Sequence, residues 1–184
     1  MGTQADRDLA LYTQWLGLAE FEVAEVVEDR ALKQRRVVVV PSRRVGICPV
    51  CHKASERRHE HHDECAVTDL PMASFATTLV VRVWQFYCDR CGKFFTPHYE
   101  AITAGVHVTE RCLERMADMI RFSDIRNTAK FFRVAEKTLE HWYYAFLERQ
   151  AQAPGATGAG NKPVESLGID ELSLKKNTGN SAPC

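Results

Sequence analysis

Two short stretches, Cys48-Pro-Val-Cys51-His-Lys53 and Cys88-Asp-Arg-Cys91-Gly-Lys93, decide how this chain is read. Each is a Cys-x-x-Cys pair that bends into a tight knuckle and aims two thiolates at one point. Two knuckles supply four sulfur ligands, which is the number a tetrahedral zinc ion takes, and zinc has no d-electron preference that resists the geometry. One pair alone fits a redox dithiol equally well. Two pairs with the same spacing and similar flanks favour zinc held by Cys48, Cys51, Cys88 and Cys91, although the gap between them exceeds the roughly 15–20 residues of the commonest pattern. Four cysteines fill the shell and leave no position for water, so the expected role is structural.

The rival readings of these cysteines are weaker. A thioredoxin-like dithiol sits beside a strand-helix-strand unit, and the flanking sequence supplies none. A disulfide framework is disfavoured by an odd count of seven cysteines and by the opening Met1-Gly-Thr-Gln-Ala-Asp-Arg-Asp8, which lacks the apolar core of an export signal. A reducing cytoplasm is the expected compartment. No run approaches the roughly 18 apolar residues of a membrane span, so a membrane is not an expected partner.

The 184 residues are 45% apolar and carry 24 basic against 24 acidic side chains, a formal charge of zero. That excludes a strongly basic nucleic-acid coat protein but not a DNA reader, for which a local patch suffices. Residues 30–55 provide one: they contain Arg30, Lys33, Arg35, Arg36, Arg43, Arg44 and Lys53 and no acid beyond Arg30. These cations read either as a solvated hairpin rim or as phosphate contacts, Arg43 and Arg44 foremost. Some also offset the formal −2 charge of a tetrathiolate zinc centre.

The periodicities predict an α+β fold, a small β-rich zinc ribbon followed by an all-α module. Residues 1–41 read as a helix over 6–17 and a β-hairpin over 21–27 and 36–40, ended by Pro41. Residues 42–98 read as the zinc ribbon, with its best strand over 77–87 and a turn at Val67-Thr-Asp-Leu-Pro71. Metal removal is expected to unfold this span. Its polar segment offers a second metal set, His59, His61, His62 and Cys65, against the plainer reading of an exposed loop.

Residues 105–150 predict three helices, over 110–120, 124–132 and 136–149, with Thr109 and Ser123 as N-caps. Ala129, Val134, Leu139 and Trp142 fall at the spacings by which a helix-turn-helix packs. That register turns Lys137, Thr138, His141 and Tyr144 outward, where side chains reach base edges or phosphates of double-stranded DNA. Glu136 and Glu140 lie near that face and oppose phosphate, and a plain three-helix interface is the competing reading. Residues 151–163 are rich in Gly, Ala and Pro and read as a linker. Residues 164–184 then offer a single strand, which does not fold alone.

Taken together, Cys-Pro-x-Cys, Asp69-Leu-Pro71, Phe86-Tyr-Cys-x-x-Cys-Gly-Lys-Phe-Phe-Thr96, the helical pair and Leu167-Gly-Ile-Asp-Glu-Leu-Ser-Leu-Lys-Lys176 resemble the front end of ISL-three family insertion-sequence transposases. The resemblance implies a zinc ribbon and helix-turn-helix that recognise terminal inverted repeats. It further implies a ribonuclease-H-like domain whose two Asp and one Glu hold divalent ions such as Mg for attack on phosphate. The two ends of a transposon imply a homodimer, and no small-molecule substrate is implied. Asp170 matches the first of the three carboxylates. The other two have no place in the 184 residues, so the expectation is a truncated transposase that binds DNA, associated with the nucleoid, without a complete catalytic site. The alternative is a stand-alone regulator that occupies the element's ends and represses transposition. A redox or metal-handling protein is a third reading.

Overall fold

The computed structural model describes residues 4–152; the bulk of the expected linker, the strand beyond it and Asp170 lie outside the described residues. The described chain is mixed α+β, with a five-stranded sheet, a two-stranded one and four helices. Helix α1 (Gln4–Leu16) precedes a hairpin of β1 (Phe21–Asp29) and β2 (Gln34–Pro41), and Gly17 stops the helix at φ +64°. In β1 the alternation of buried Phe21 and Val23 with exposed Glu22 marks one face against the core. In β2, by contrast, Val37, Val38 and Val39 are all buried. β2 lies inside the sheet, between β1 and β6, and the alternation of exposed Gln34 and Arg36 with buried Arg35 stops at this run.

The interior position of β2 comes from a long-range pairing. β5 (Arg58–Met72) and β6 (Phe75–Cys88) form an antiparallel hairpin, and β6 then lies parallel to β2 from Gln34↔Ala76 to Val39↔Val81. The strand order is β1-β2-β6-β5, with β7 (Lys93–Phe95) joined to the far end of β6. The sheet therefore runs straight across the expected division between residues 41 and 42. Leu9, Tyr12 and Leu16 of α1 cover its Val23, Val37, Val39, Val67, Leu79 and Val81.

Two local expectations change. The polar segment read as a loop belongs to β5, an edge strand, where Pro71 is tolerated because one side lacks a ladder partner. The turn expected at residues 67–71 falls instead at Ala73-Ser74, both with positive φ (47° and 70°), closed by the Met72↔Phe75 pair. Two consecutive left-handed residues make a tight hairpin whose usual signature is Asn-Gly. Ala-Ser gives no such signal.

The helices α2 (Glu110–Phe122), α3 (Ile125–Phe132) and α4 (Glu136–Gln152) share a core of Leu113, Met116, Ala129, Phe132, Leu139, Trp142 and Phe146. α4 takes in residues 151 and 152, which were expected in the linker. The cap of α3 is Asp124, whose Oδ1 accepts the Asn127 amide at 2.7 Å, and Ser123 is left to end α2. Thr109 does occupy the N-cap of α2, but its hydroxyl turns away from the helix to Asp69.

That carboxylate fastens the helices to the sheet. Asp69, on β5 and 1% exposed, accepts from Thr109 Oγ1 at 2.6 Å and from Arg111 Nε at 2.9 Å, with a second guanidinium contact from Arg111 Nη2. Arg111 also donates to the Leu16 carbonyl at the end of α1. One arginine of α2 thus holds a strand and a helix end together. Alongside, the Thr68 backbone bonds His107 and Thr109 at 2.9 and 3.0 Å.

Candidate functional site

The short antiparallel pair β3 (Gly46–Ile47) and β4 (Ala54–Ser55) presents the first knuckle between its strands, and β6–β7 presents the second. Each knuckle closes by backbone bonds: Cys48 N–H to Lys53 O and His52 N–H to Cys48 O, both 2.9 Å, and Gly92 N–H to Cys88 O at 2.8 Å. The chain leaves each knuckle through a left-handed residue, His52 at φ 55° and Gly92 at φ 64°. Local geometry alone therefore turns both thiol pairs inward.

The two knuckles meet. The sulfurs of Cys48, Cys51, Cys88 and Cys91 all lie within 4.8 Å of one another, with Cys48–Cys91 at 3.9 Å and Cys51–Cys88 at 3.5 Å. A disulfide needs about 2.05 Å, so none is formed. Sulfurs around a tetrahedral zinc with bonds of about 2.3 Å stand roughly 3.8 Å apart. The four cysteines can hold a metal ion, and the spacing is consistent with structural zinc. Cys48 and Cys88 are buried on Phe86 and Phe95, whose rings stack at 5.9 Å.

Charge in the cluster is unevenly placed. Backbone N–H groups, that of Cys51 first, hold the Cys48 thiol down at about 7 despite its burial. Cys91 is pushed up to about 12, first by its contact with the Cys51 thiol and then by burial. A metal must displace the proton that Cys91 holds, so its affinity should rise with pH.

Gly46 sets how closely β3 sits on this centre. A Cβ there would come within 2.7 Å of the Phe86 ring, whose position is fixed by the cluster. Gly46→Ala should therefore cost about 1–3 kcal/mol by overpacking. A melting curve of the metal-loaded protein reads this directly, and an unchanged midpoint would show that β3 shifts freely.

Of the second metal set expected from sequence, the side chains of His61 and His62 lie outside the described residues. His59 packs against Phe94 with ring centroids 5.2 Å apart, while Cys65 meets His107 Nδ1 at 3.1 Å. Among the described residues, no group of three or more ligand atoms other than the four cysteines is gathered.

The residues expected to contact DNA fall in two places. Lys137, His141 and Tyr144 are exposed along α4 and Thr138 is half-buried beside them, while Leu139 and Trp142 point into the core. α4 is set against α3 by a three-residue turn. Arg133, in the left-handed region at φ 55°, leads it, and the Val134 amide returns to the Ala129 carbonyl at 3.1 Å. Arg43 lies elsewhere, lining a cavity of about 280 Å³ with Cys48, His52, Glu20 and Tyr99; Arg44 is exposed nearby. Asp69 and Arg111 are the residues that the sequence reading missed. Asp69 follows several other acids in β5, Glu60, Asp63 and Glu64 among them, so its position in the strand gave no signal of its own.

Fold and site together define a mixed α+β protein with a four-cysteine cluster that can hold a metal. No family model matches the chain, and no solved structure matches it. It is 23% identical over 140 residues to the transposase for insertion sequence element IS1001 of Bordetella parapertussis, a match that takes in 76% of this chain and 33% of that protein. This similarity supports kinship with transposases. The chain spans about a third of the length of that relative. No helix among the described residues is long and apolar enough to cross a membrane.

Proposed function

We propose that this chain is the DNA-recognition part of an ISL-three type transposase and acts in transposition. In this reading a structural zinc sits in the four-cysteine ribbon, and α3 and α4 form a helix-turn-helix. The observation that carries it is the register of α4. Leu139, Trp142 and Phe146 face the core, and this leaves Lys137, Thr138, His141 and Tyr144 to enter a major groove. The kinship with an insertion-sequence transposase favours DNA over a protein partner for that face. The ligands are terminal inverted repeats, bound by two copies of the chain. Strand cleavage belongs to a separate set of carboxylates and divalent ions, with Asp170 as its first member, because four thiolates suit scaffolding and not water activation.

The test is binding to the element's terminal repeat and to random duplex at matched salt. Lys137→Ala and His141→Ala should each weaken repeat binding by about 1–3 kcal/mol and random-duplex binding by less. Equal losses on both would reduce the two residues to phosphate contacts. If the wild-type chain bound neither duplex at low salt, the helix-turn-helix assignment would be wrong.

A further inference from the structure

A basic surface that the α4 reading does not use lies where the sheet meets the helices. The β1–β2 hairpin ends in Arg30-Ala-Leu-Lys33, and all four residues are exposed. The tip is built firmly. Asp29 Oδ1 accepts the Leu32 amide at 2.9 Å, and the Lys33 carbonyl accepts the Ala76 amide at 3.0 Å. Arg133, in the turn between α3 and α4, donates from Nη1 to the carbonyls of Leu32 at 2.7 Å and Lys33 at 3.1 Å. An exposed arginine that spends its guanidinium on two backbone oxygens of a distant loop fixes the position of that loop. Here it fixes the hairpin tip beside the start of α4.

The side chains around this junction are mostly cationic. Arg126, Lys130 and Arg133 line a shallow depression of about 350 Å³ between α3 and α4, with Glu136 facing Arg126 at 3.7 Å. The neighbouring acids are largely engaged. Glu28 is paired with Arg35 at 2.7 Å, Asp29 with the Leu32 amide, and Asp124 with Asn127. Arg30 approaches Glu28 only at 4.0 Å and is 88% exposed. Among the described residues, Arg30 and Lys33 therefore stand as exposed cations on a braced loop.

We propose that the β1–β2 hairpin tip is a wing that contacts the phosphate backbone of the duplex held by α4. Arg30 and Lys33 are the contacts, and Arg133 is the residue that positions them. The partner is double-stranded DNA, because a continuous row of phosphates is the polyanion able to meet α4, the α3 cations and the tip together. The inference rests on the reading of α4 as a DNA-binding helix and adds a second anchor to it. Such an anchor supplies affinity and orientation without reading sequence.

The experiment measures binding of the full metal-loaded chain to a fluorescent random-sequence duplex of about 30 base pairs over a series of salt concentrations, with Arg30→Ala/Lys33→Ala beside the wild type. Both side chains are exposed, so the double variant should keep the wild-type melting curve. Its affinity at low salt should fall roughly tenfold, and its slope of log K against log salt should become shallower by about 1.8, or 0.9 per lost phosphate contact. A wild-type affinity and slope in the variant would overturn the wing while leaving the α4 reading intact. Weaker binding with an unchanged slope would also overturn it, since no phosphate contact would have been lost. If the wild-type chain failed to bind, both readings would fall together.

Discussion

Asp69→Ala should destabilise the protein by about 3 kcal/mol, the low end of the cost of breaking a buried ion pair, because the Arg111 side chain keeps 31% of its exposure. The loss has two parts. The Thr109 hydroxyl and the Arg111 fork lose their acceptor, and the sheet loses its fastening to α2. For a chain of this size the melting temperature should drop by roughly 6–12 °C. Arg111→Ala should cost at least as much, since it leaves a carboxylate without its cation at 1% exposure. Replacing both by apolar residues, Asp69→Leu with Arg111→Met, should recover part of the loss because neither charge is then stranded. Urea unfolding of the four proteins tests this. A double variant no more stable than the worse single one would mean that the pair acts through more than its buried charge.

Removing the metal should have the second large effect, confined to one end of the molecule. Beside the four cysteines, the core there consists of Phe86 and Phe95 with Trp84 at its edge, and β3 and β4 are two residues each. So small a cluster does not hold together unaided; metal binding of this type contributes on the order of 10 kcal/mol to small zinc modules. The expectation from sequence was that residues 42–98 would unfold together. The structure narrows it, because β6 is tied to β2 over residues 76–81 and to β5 over most of its length. Chelation should expose the amides of Cys48, His52 and Gly92 to hydrogen exchange while those of Leu79, Val80 and Val81 stay protected. Helical circular dichroism should barely change, since the core of α2 to α4 is separate. Cys88→Ser should reproduce the effect, with metal affinity reduced by more than the roughly 100-fold that loss of an outer partner costs. Loss of the whole sheet on chelation would show that the metal supports far more than its own lobe.

What could be read in the sequence was local. The knuckles declare themselves because two thiols three apart need only one tight turn, and the helices because Leu113, Met116, Leu139 and Trp142 repeat at the helical period. Neither signal depends on distant residues. The parallel pairing of β2 with β6 does, and its one trace is the unbroken valine run at 37–40, a pattern that buried helices share. Asp69 was invisible as an anchor because its meaning lies in Arg111, far along the chain. The hairpin turn at Ala73-Ser74 escaped because its left-handed residues lack the glycine or asparagine that normally announces them.

The pairing of β2 with β6 also bears on biosynthesis. As the chain leaves the ribosome, the hairpin that ends in β2 at Pro41 is complete about forty residues before the paired part of β6 ends at Val81, an interval of roughly 2–8 seconds at usual elongation rates. During it, Val37, Val38 and Val39 present an open, apolar strand edge, the kind of template on which nascent chains stick to one another. The yield of soluble protein should therefore depend on temperature, elongation speed and chaperone supply more than its final stability suggests.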